Sequence, residues 1–330
     1  MGDVRKRVDV AVAVVFNDRG QVLWGCRPEG KPYAGYWEFP GGKVEPGETV
    51  WQALVRELKE ELDITAQAGA PWFVIEHDYE HALVRLHLYR VWQFSGQVRA
   101  LEGQAFTWAS LDANDLTPIL PATEPLLPTL VQPRFMALSS YSQGFEACAS
   151  RLESALSVVA EPVWVQFREK GLSGAALWDA YRHLQALCQR LGHRVLINSS
   201  NWADLERMSA QRNEPLNPAG IHLTEADLHQ VAQGQFKPTG RLIGASVHDE
   251  AGLLLAHRVG LQYAVLGAVN ATPSHPGQPG MGWAKFSASV QGVRLPVYAI
   301  GGLGLEDYEQ ARAHGAHGVA ILSRFTGYTT

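Results

Sequence analysis

Residues 41–64 read GGKVEPGETVWQALVRELKEELDI. Gly41 and Gly42 permit backbone angles that other residues resist, and let a carbonyl face inward. Thr49 is a good N-cap, and Gln52 three residues later completes a capping box, so a helix is predicted from about Val50 to Leu62. Trp51, Leu54, Leu58 and Leu62 share one side of it, which should face a core. Glu57, Glu60 and Glu61, at i, i+3 and i+4, gather on another face. Carboxylates so close repel one another and cost helix stability unless a cation relieves them. Oxygen-only ligands suit Mg²⁺, or Mn²⁺ in its place, rather than Zn²⁺. Bridged to a diphosphate, such ions neutralise its oxygens and orient a water for in-line attack. The same acidic run would also suit the solvated face of an amphipathic helix. The glycine turn, Glu48 and Arg56 all falling in register with it favour the metal-binding reading. Arg56 is expected to orient a glutamate such as Glu48 rather than touch substrate.

Counted from Gly42, the pattern is a glycine, five residues, Glu48, seven residues, Arg56-Glu57, Leu58, one residue and Glu60-Glu61. This resembles the Nudix signature, with Asp63 where the signature has its last glycine. The upstream run Trp37-Glu38-Phe39-Pro40-Gly41-Gly42-Lys43 resembles the MutT-like branch of that family. The resemblance implies an α/β/α sandwich with a mixed sheet. It also implies metal ligation by Glu57, Glu60, Glu61 and the Gly42 carbonyl, with Glu57 the first choice to activate water. The family's further metal-binding glutamate lies in an E-G-Q context before a strand, which makes Glu102 its counterpart here. A solvated loop carboxylate is the alternative for that residue. The asparagine with which the family reads a damaged purine follows Pro-Ala, and here Thr123 stands in its place. One hydroxyl does not offer an amide's paired donor and acceptor. Other base contacts are expected from Arg27, Phe39 or backbone groups.

The chain has 330 residues, 46% hydrophobic and 18% charged, and two domains are the natural expectation. A net charge of −5 gives no broad attraction for nucleic acid or membrane. Cys26, Cys148 and Cys188 are scattered and odd in number, which argues for a reducing compartment and against a disulfide framework or zinc site. No apolar run reaches the length of a membrane span. Arg5-Lys6-Arg7 precedes Asp9 and a run that ends at Phe16, a strand rather than a signal peptide. Lys6 stands where a myristoylation site needs Ser or Thr. A cytoplasmic protein is expected.

Within the first domain, Val8–Phe16 and Gln21–Arg27, joined by a turn at Asn17–Gly20, predict an opening hairpin. Further strands are expected at Trp72–His77, Leu83–Phe94 and Ala105–Ala109, and a last short helix around Glu124–Val131. Leu116–Pro133 holds Pro118, Pro121, Pro125, Pro128 and Pro133, which places the boundary near residue 133. The expected domains are residues 1–133 and 134–330.

From Phe135 strands and helices alternate. Strands are predicted at Phe135–Ser139, Pro162–Phe167, Arg194–Asn198, Gly220–Leu223, Leu242–Ser246, Tyr263–Gly267, Val297–Ile300 and Gly318–Leu322. Intervening helices include Gly144–Val159 and Leu172–Leu191. The pattern predicts a (β/α)₈ TIM-type barrel, with a doubly wound sheet as the alternative. Polar residues fall just past the strand ends, where barrels place their sites. They are Gln166, Arg168, Lys170, Asn198, His222, Ser246, His248, Gly301, Gly302 and Ser323. In order, they resemble the thiamine-phosphate synthase and TenI family: Q-x-R-x-K, an asparagine, H-L, S-x-H and G-G. Arg168 and Lys170 suit phosphate oxygens, and Gly301, Gly302 and Ser323 fall where barrels bind phosphate. The synthase holds Mg²⁺ partly through an aspartate directly after its asparagine, where this chain has Ser199; its second aspartate survives as Asp227. The loop Ala271–Gly277 resembles the TenI branch, so a phosphate-binding, tautomerase-like or regulatory barrel is expected rather than a synthase.

The whole resembles bacterial fusions described as 8-oxo-dGTP diphosphatases. That implies Mg²⁺-dependent hydrolysis of 8-oxo-dGTP to 8-oxo-dGMP and pyrophosphate, the mutator-preventing activity that serves DNA replication and repair. The substrate would be a small-molecule nucleotide, with a thiamine-pathway phosphate as the barrel's partner and no direct contact with nucleic acid or membrane. The alternative is a Nudix hydrolase acting on a thiamine-pathway or other diphosphate compound.

Overall fold

A computed structural model describes residues 7–79, 82–112, 115–141, 144–238, 240, 242–272 and 277–322. The chain divides between Gln132 and Pro133 into two compact units. The predicted helix is α1 (Val50–Leu62), with Thr49 accepting from the Gln52 amide and Gln52 answering the Thr49 amide. Its C-cap Asp63 takes the left-handed conformation, φ 56° and ψ 25°. That is the backbone the signature's glycine would supply, and aspartate is among the few other residues that visit it readily. Lys59 and Arg99 both pair with the Asp63 carboxylate. Ala53, Leu54, Leu58 and Leu62 are buried, while Trp51 is half-buried with its ring beside Tyr89.

The first unit holds two sheets. One is mixed: β1 (Arg7–Val15) lies between β4 (Gly41–Lys43), antiparallel, and β6 (Ala82–Ser95), parallel, and β5 (Thr65–Tyr79) is on the far edge. The other places β2 (Val22–Cys26) between β3 (Trp37–Glu38) and β7 (Ala105–Ala109). The opening hairpin is therefore not formed. Both edges of β1 are taken, so β2 starts a second sheet, and only an isolated bridge, Phe16 to Val22, remains of the expected pairing. The expected last helix is split into a 3₁₀ turn, Glu124–Leu126, and α2 (Leu127–Leu130). Each sheet buries apolar side chains on two sides. Leu23, Leu54, Leu58 and Val91 meet under α1, and Trp24, Phe39, Trp72, Phe73, Leu126 and Leu130 form a second cluster.

The second unit is a closed parallel barrel. Its strands are β8 (Phe135–Leu138), β9 (Trp164–Phe167), β10 (Arg194–Asn198), β11 (Gly220–Leu223), β12 (Ile243–Val247), β13 (Tyr263–Gly267), β14 (Val297–Ile300) and β15 (Gly318–Ile321). Each lies within a residue or two of its predicted span. Helices α3 (Phe145–Ser157), α4 (Gly174–Leu191), α5 (Ser199–Arg212), α6 (Glu225–Ala232), α7 (Glu250–Arg258), α8 (Gly282–Val290) and α9 (Tyr308–Ala313) follow successive strands. The helix-facing side of the strands joins a large apolar layer. The interior is filled by Met136, Leu138, Trp164, Leu196, Tyr263, Val265, Tyr298 and Ala320, so the barrel is a packed core with its polar residues at the C-terminal rim.

Candidate functional sites

In the first unit the site is built on α1 and the glycine turn. Gly41, at φ 148°, lies so close to β1 that a Cβ would come within 2.1 Å of the Ala11 carbonyl oxygen. A Cβ on Gly42 would stand 2.1 Å from the Glu57 carboxyl group, so any larger residue there would displace that carboxyl from the turn. Arg56 organises the acids. It donates to both Glu48 oxygens at 2.7 and 3.3 Å, to Glu57 Oε1 at 2.9 Å, to Glu60 Oε2 at 3.1 Å and to the Lys43 carbonyl at 3.0 Å. These bonds hold the Glu48 carboxyl below its ordinary range and the guanidinium above its own.

Glu61 is set apart from this network. Burial, then the charges of Glu57, Glu102 and Glu38, push its carboxyl up to about 7. Burial also raises Glu57, against the pull of Arg56, with Glu60 and Glu102 adding to the rise. Like charges held together in a partly buried site disfavour ionisation, and a divalent cation is the natural relief. An oxygen-only donor set of this kind fits Mg²⁺. Among the described residues no group of three or more His, Cys, Asp or Glu side chains is already gathered tightly enough to hold a metal ion. Glu60 is exposed and turned to Arg56, and Glu102 pairs with Lys31 at 3.0 Å.

The three residues expected near a base are spread over different surroundings. Arg27 donates to Glu38 Oε2 at 2.7 Å, and burial raises the Glu38 carboxyl. Phe39 is buried, with its ring 4.5 Å from that of Trp24. Thr123 is buried at the start of the 3₁₀ turn and makes no side-chain cap bond there.

At the barrel rim the structure brings the expected residues of neighbouring strands into contact. Asn198 Nδ2 donates to Gln166 Oε1 at 3.1 Å, and Asn198 Oδ1 caps α5 by accepting from the Ser200 amide. His222 is fully buried, with Nδ1 3.0 Å from the Tyr263 hydroxyl and Nε2 2.9 Å from Ser246 Oγ. Burial, and then the charge of Arg168, lower it to about 3, so it is neutral. His248 Nδ1 donates to the Gly267 carbonyl at 3.1 Å, and its Nε2 is 3.5 Å from Glu225. Arg168 is half-buried, Lys170 is exposed, and Gly301 is pressed against Ala268. Gly302 follows Gly301 at φ 65°. Ser323 lies outside the described residues.

A lock that the sequence reading does not include fixes the loop that carries Arg168. Buried Glu169 accepts from Ser139 Oγ at 2.6 Å and from the Tyr141 amide at 2.9 Å. Its backbone exchanges two bonds with the Asn201 side chain, at 2.9 and 2.8 Å. Ser139 Oγ in turn accepts from the Arg168 amide at 3.1 Å. The signal was the alternation within Gln166–Lys170, where the residue between two cations points the other way.

Fold and sites together define an α/β domain with an acidic helix followed by a polar-rimmed (β/α)₈ barrel. Comparison with known proteins then gives the families. Residues 5–130 match the NUDIX domain, and residues 139–325 match the thiamine monophosphate synthase family. The first region is 42% identical over 135 residues to the CTP pyrophosphohydrolase of Escherichia coli (strain K12), 40% of this chain and 94% of that protein. It is 34% identical over 125 residues to the 8-oxo-dGTP diphosphatase of the same organism, 38% of this chain and 97% of that protein. The second region is 32% identical over 161 residues to a putative thiamine-phosphate synthase of Geobacter sulfurreducens, 48% of this chain and 71% of that protein. The chain belongs to the Nudix family through its first domain and to the thiamine monophosphate synthase family through its second. No helix among the described residues is long and apolar enough to cross a membrane.

Proposed function

We propose that the first domain hydrolyses 8-oxo-dGTP to 8-oxo-dGMP and pyrophosphate with Mg²⁺, a nucleotide-pool sanitation activity. The observation that carries the hydrolase reading is the suppressed ionisation of Glu61 and Glu57 beside Glu102, whose carboxyls are raised by burial and then by neighbouring charge. Carboxyls so perturbed by burial together with specific neighbouring charges cluster at functional sites. Glu57, Glu60, Glu61, Glu102 and the Gly42 carbonyl would hold Mg²⁺, which neutralises phosphate oxygens when bound. Arg56 positions Glu48, Glu57 and Glu60, and Glu57 takes the proton of the attacking water. Arg27 and Thr123 are assigned the base side, with Phe39 packed on Trp24. The diphosphatase relative supports the choice of 8-oxo-dGTP.

A second substrate is CTP. The 42% identical relative is named for it, and Thr123 lacks the amide that would read a purine edge. The barrel is assigned a phosphate-bearing ligand of the thiamine pathway, held through Arg168, Lys170, Gly301 and Gly302, with Gln166, Asn198, Ser246 and His248 around it. The test is a Mg²⁺-dependent panel of 8-oxo-dGTP, dGTP, CTP and thiamine diphosphate analogues. We expect the highest kcat/KM for 8-oxo-dGTP. A preference for CTP would move the assignment to the second reading, and failure to turn over any of them would remove both.

A further inference from the structure

We propose that the barrel of this chain binds its anionic ligand without a divalent cation. Its family implies a magnesium site at the residue after Asn198 and at Asp227, and the residues present do not fit one. Ser199 and Thr224 both donate to the same oxygen of Asp227, each at 2.6 Å. Thr224 Oγ1 accepts the Asp227 amide at 3.2 Å, while the Thr224 amide donates to Ser199 Oγ at 3.1 Å. Asp227 is thus the closing member of the N-terminal cap of α6, with Ser199 inserted as a relay between the two halves of the cap. Two hydroxyl protons occupy one of the two oxygens through which the carboxylate would hold a cation. Mg²⁺ demands a near-octahedral set of oxygens and sheds its waters reluctantly. One carboxylate already engaged in this way is a poor exchange for them.

The charge at the rim points the same way. Serine at position 199 leaves one acid fewer than the family's pair. The Arg168 side chain has no acidic partner among the described residues, and its backbone is held by the Ser139–Glu169 lock. A guanidinium on an anchored backbone can engage a single phosphate through paired donors, so charge for the anion is available at the rim without a metal. The ligand class is therefore a phosphomonoester rather than a magnesium diphosphate.

The test uses the full chain. Mn²⁺ binding is measured by calorimetry for wild type, Asp227→Asn and the double variant Glu57→Gln/Glu61→Gln. We expect Asp227→Asn to keep the wild-type Mn²⁺ stoichiometry and affinity within about twofold, while the barrel unfolds at lower temperature because its cap is weakened. Inorganic phosphate should bind the double variant equally well with and without EDTA. An Mn²⁺ site that survives the double substitution and disappears with Asp227→Asn would overturn the proposal, as would phosphate binding that requires Mn²⁺. Mn²⁺ retained in the double variant and untouched by Asp227→Asn would instead sink the first-domain reading while upholding this one.

Discussion

The acids of α1 and the acids of the barrel rim are held in opposite ways. Asp227 receives two hydroxyls, and Glu169 receives a hydroxyl and a backbone amide. Every such donor lowers the cost of a buried negative charge, and these two residues spend their charge on fixing loops and a helix end. Burial, and then the charges of neighbouring carboxylates, raise Glu61 to about 7. It holds a charge that the surrounding protein does not neutralise. Both regions carry acids at family positions, yet on the proposed reading only the first calls for a cation.

The largest expected effect follows directly. Removing Mg²⁺ with EDTA should reduce pyrophosphate release to background while leaving phosphate binding by the barrel unchanged; loss of both would erase the contrast. Next comes Arg56→Gln. Its guanidinium positions three glutamates, and loss of groups that orient metal ligands costs about 10–100-fold in affinity or activity. A titration of Mg²⁺-dependent turnover would read this as a higher metal requirement.

The barrel has its own titrating group. His222 stays neutral in the fold down to about 3, whereas an unfolded histidine takes a proton near 6.5. Between these values the unfolded chain binds more protons. The barrel's stability should therefore fall as pH drops from 6.5 toward 3, by at most about 1.4 kcal/mol per pH unit. Urea melts across this range should show the slope, and His222→Gln should flatten it. The smallest effect is Thr49→Ala, which removes the α1 cap and should cost about 1 kcal/mol in the same melts.

Much of this was legible in the sequence because the signals were local. Thr49 and Gln52 define the start of α1 by chemistry within three residues. The barrel strands are short apolar runs bounded by turns. Partner choice was not legible. Val8–Phe16 and Gln21–Arg27 read as a hairpin, and nothing local tells that β6, some seventy residues on, takes the edge of β1. The start of β5 was hidden by Gly69 and Pro71, which look like a break. In the fold, the pairing of β5 with β6 shifts register at Ala66/Ala68, Ala68/Gly69 and Pro71/Phe73. A Cβ at Gly69 would lie 2.6 Å from the Arg90 carbonyl oxygen and 2.8 Å from the Trp51 ring, so the glycine serves close packing against β6 and α1. Phe39 is the instructive case at the site. It is expected among the base contacts, and its side chain packs in the Trp24 cluster, a choice of sheet face that spacing does not reveal.

The measurement that bears most directly on the central claim is Glu61→Gln with two readouts. A group raised in the fold contributes stability below its unfolded value, and that contribution is lost as pH rises through about 7. At pH 8 in EDTA, the wild type carries Glu61 charged at a cost that glutamine does not share. The account predicts that Glu61→Gln, by weakening the Mg²⁺ site, loses at least about 10²-fold in Mg²⁺-dependent pyrophosphate release, yet unfolds at a higher temperature than wild type in EDTA at pH 8. That advantage should vanish near pH 4. Wild-type turnover by the variant, or a lower unfolding temperature at pH 8 without metal, would contradict it.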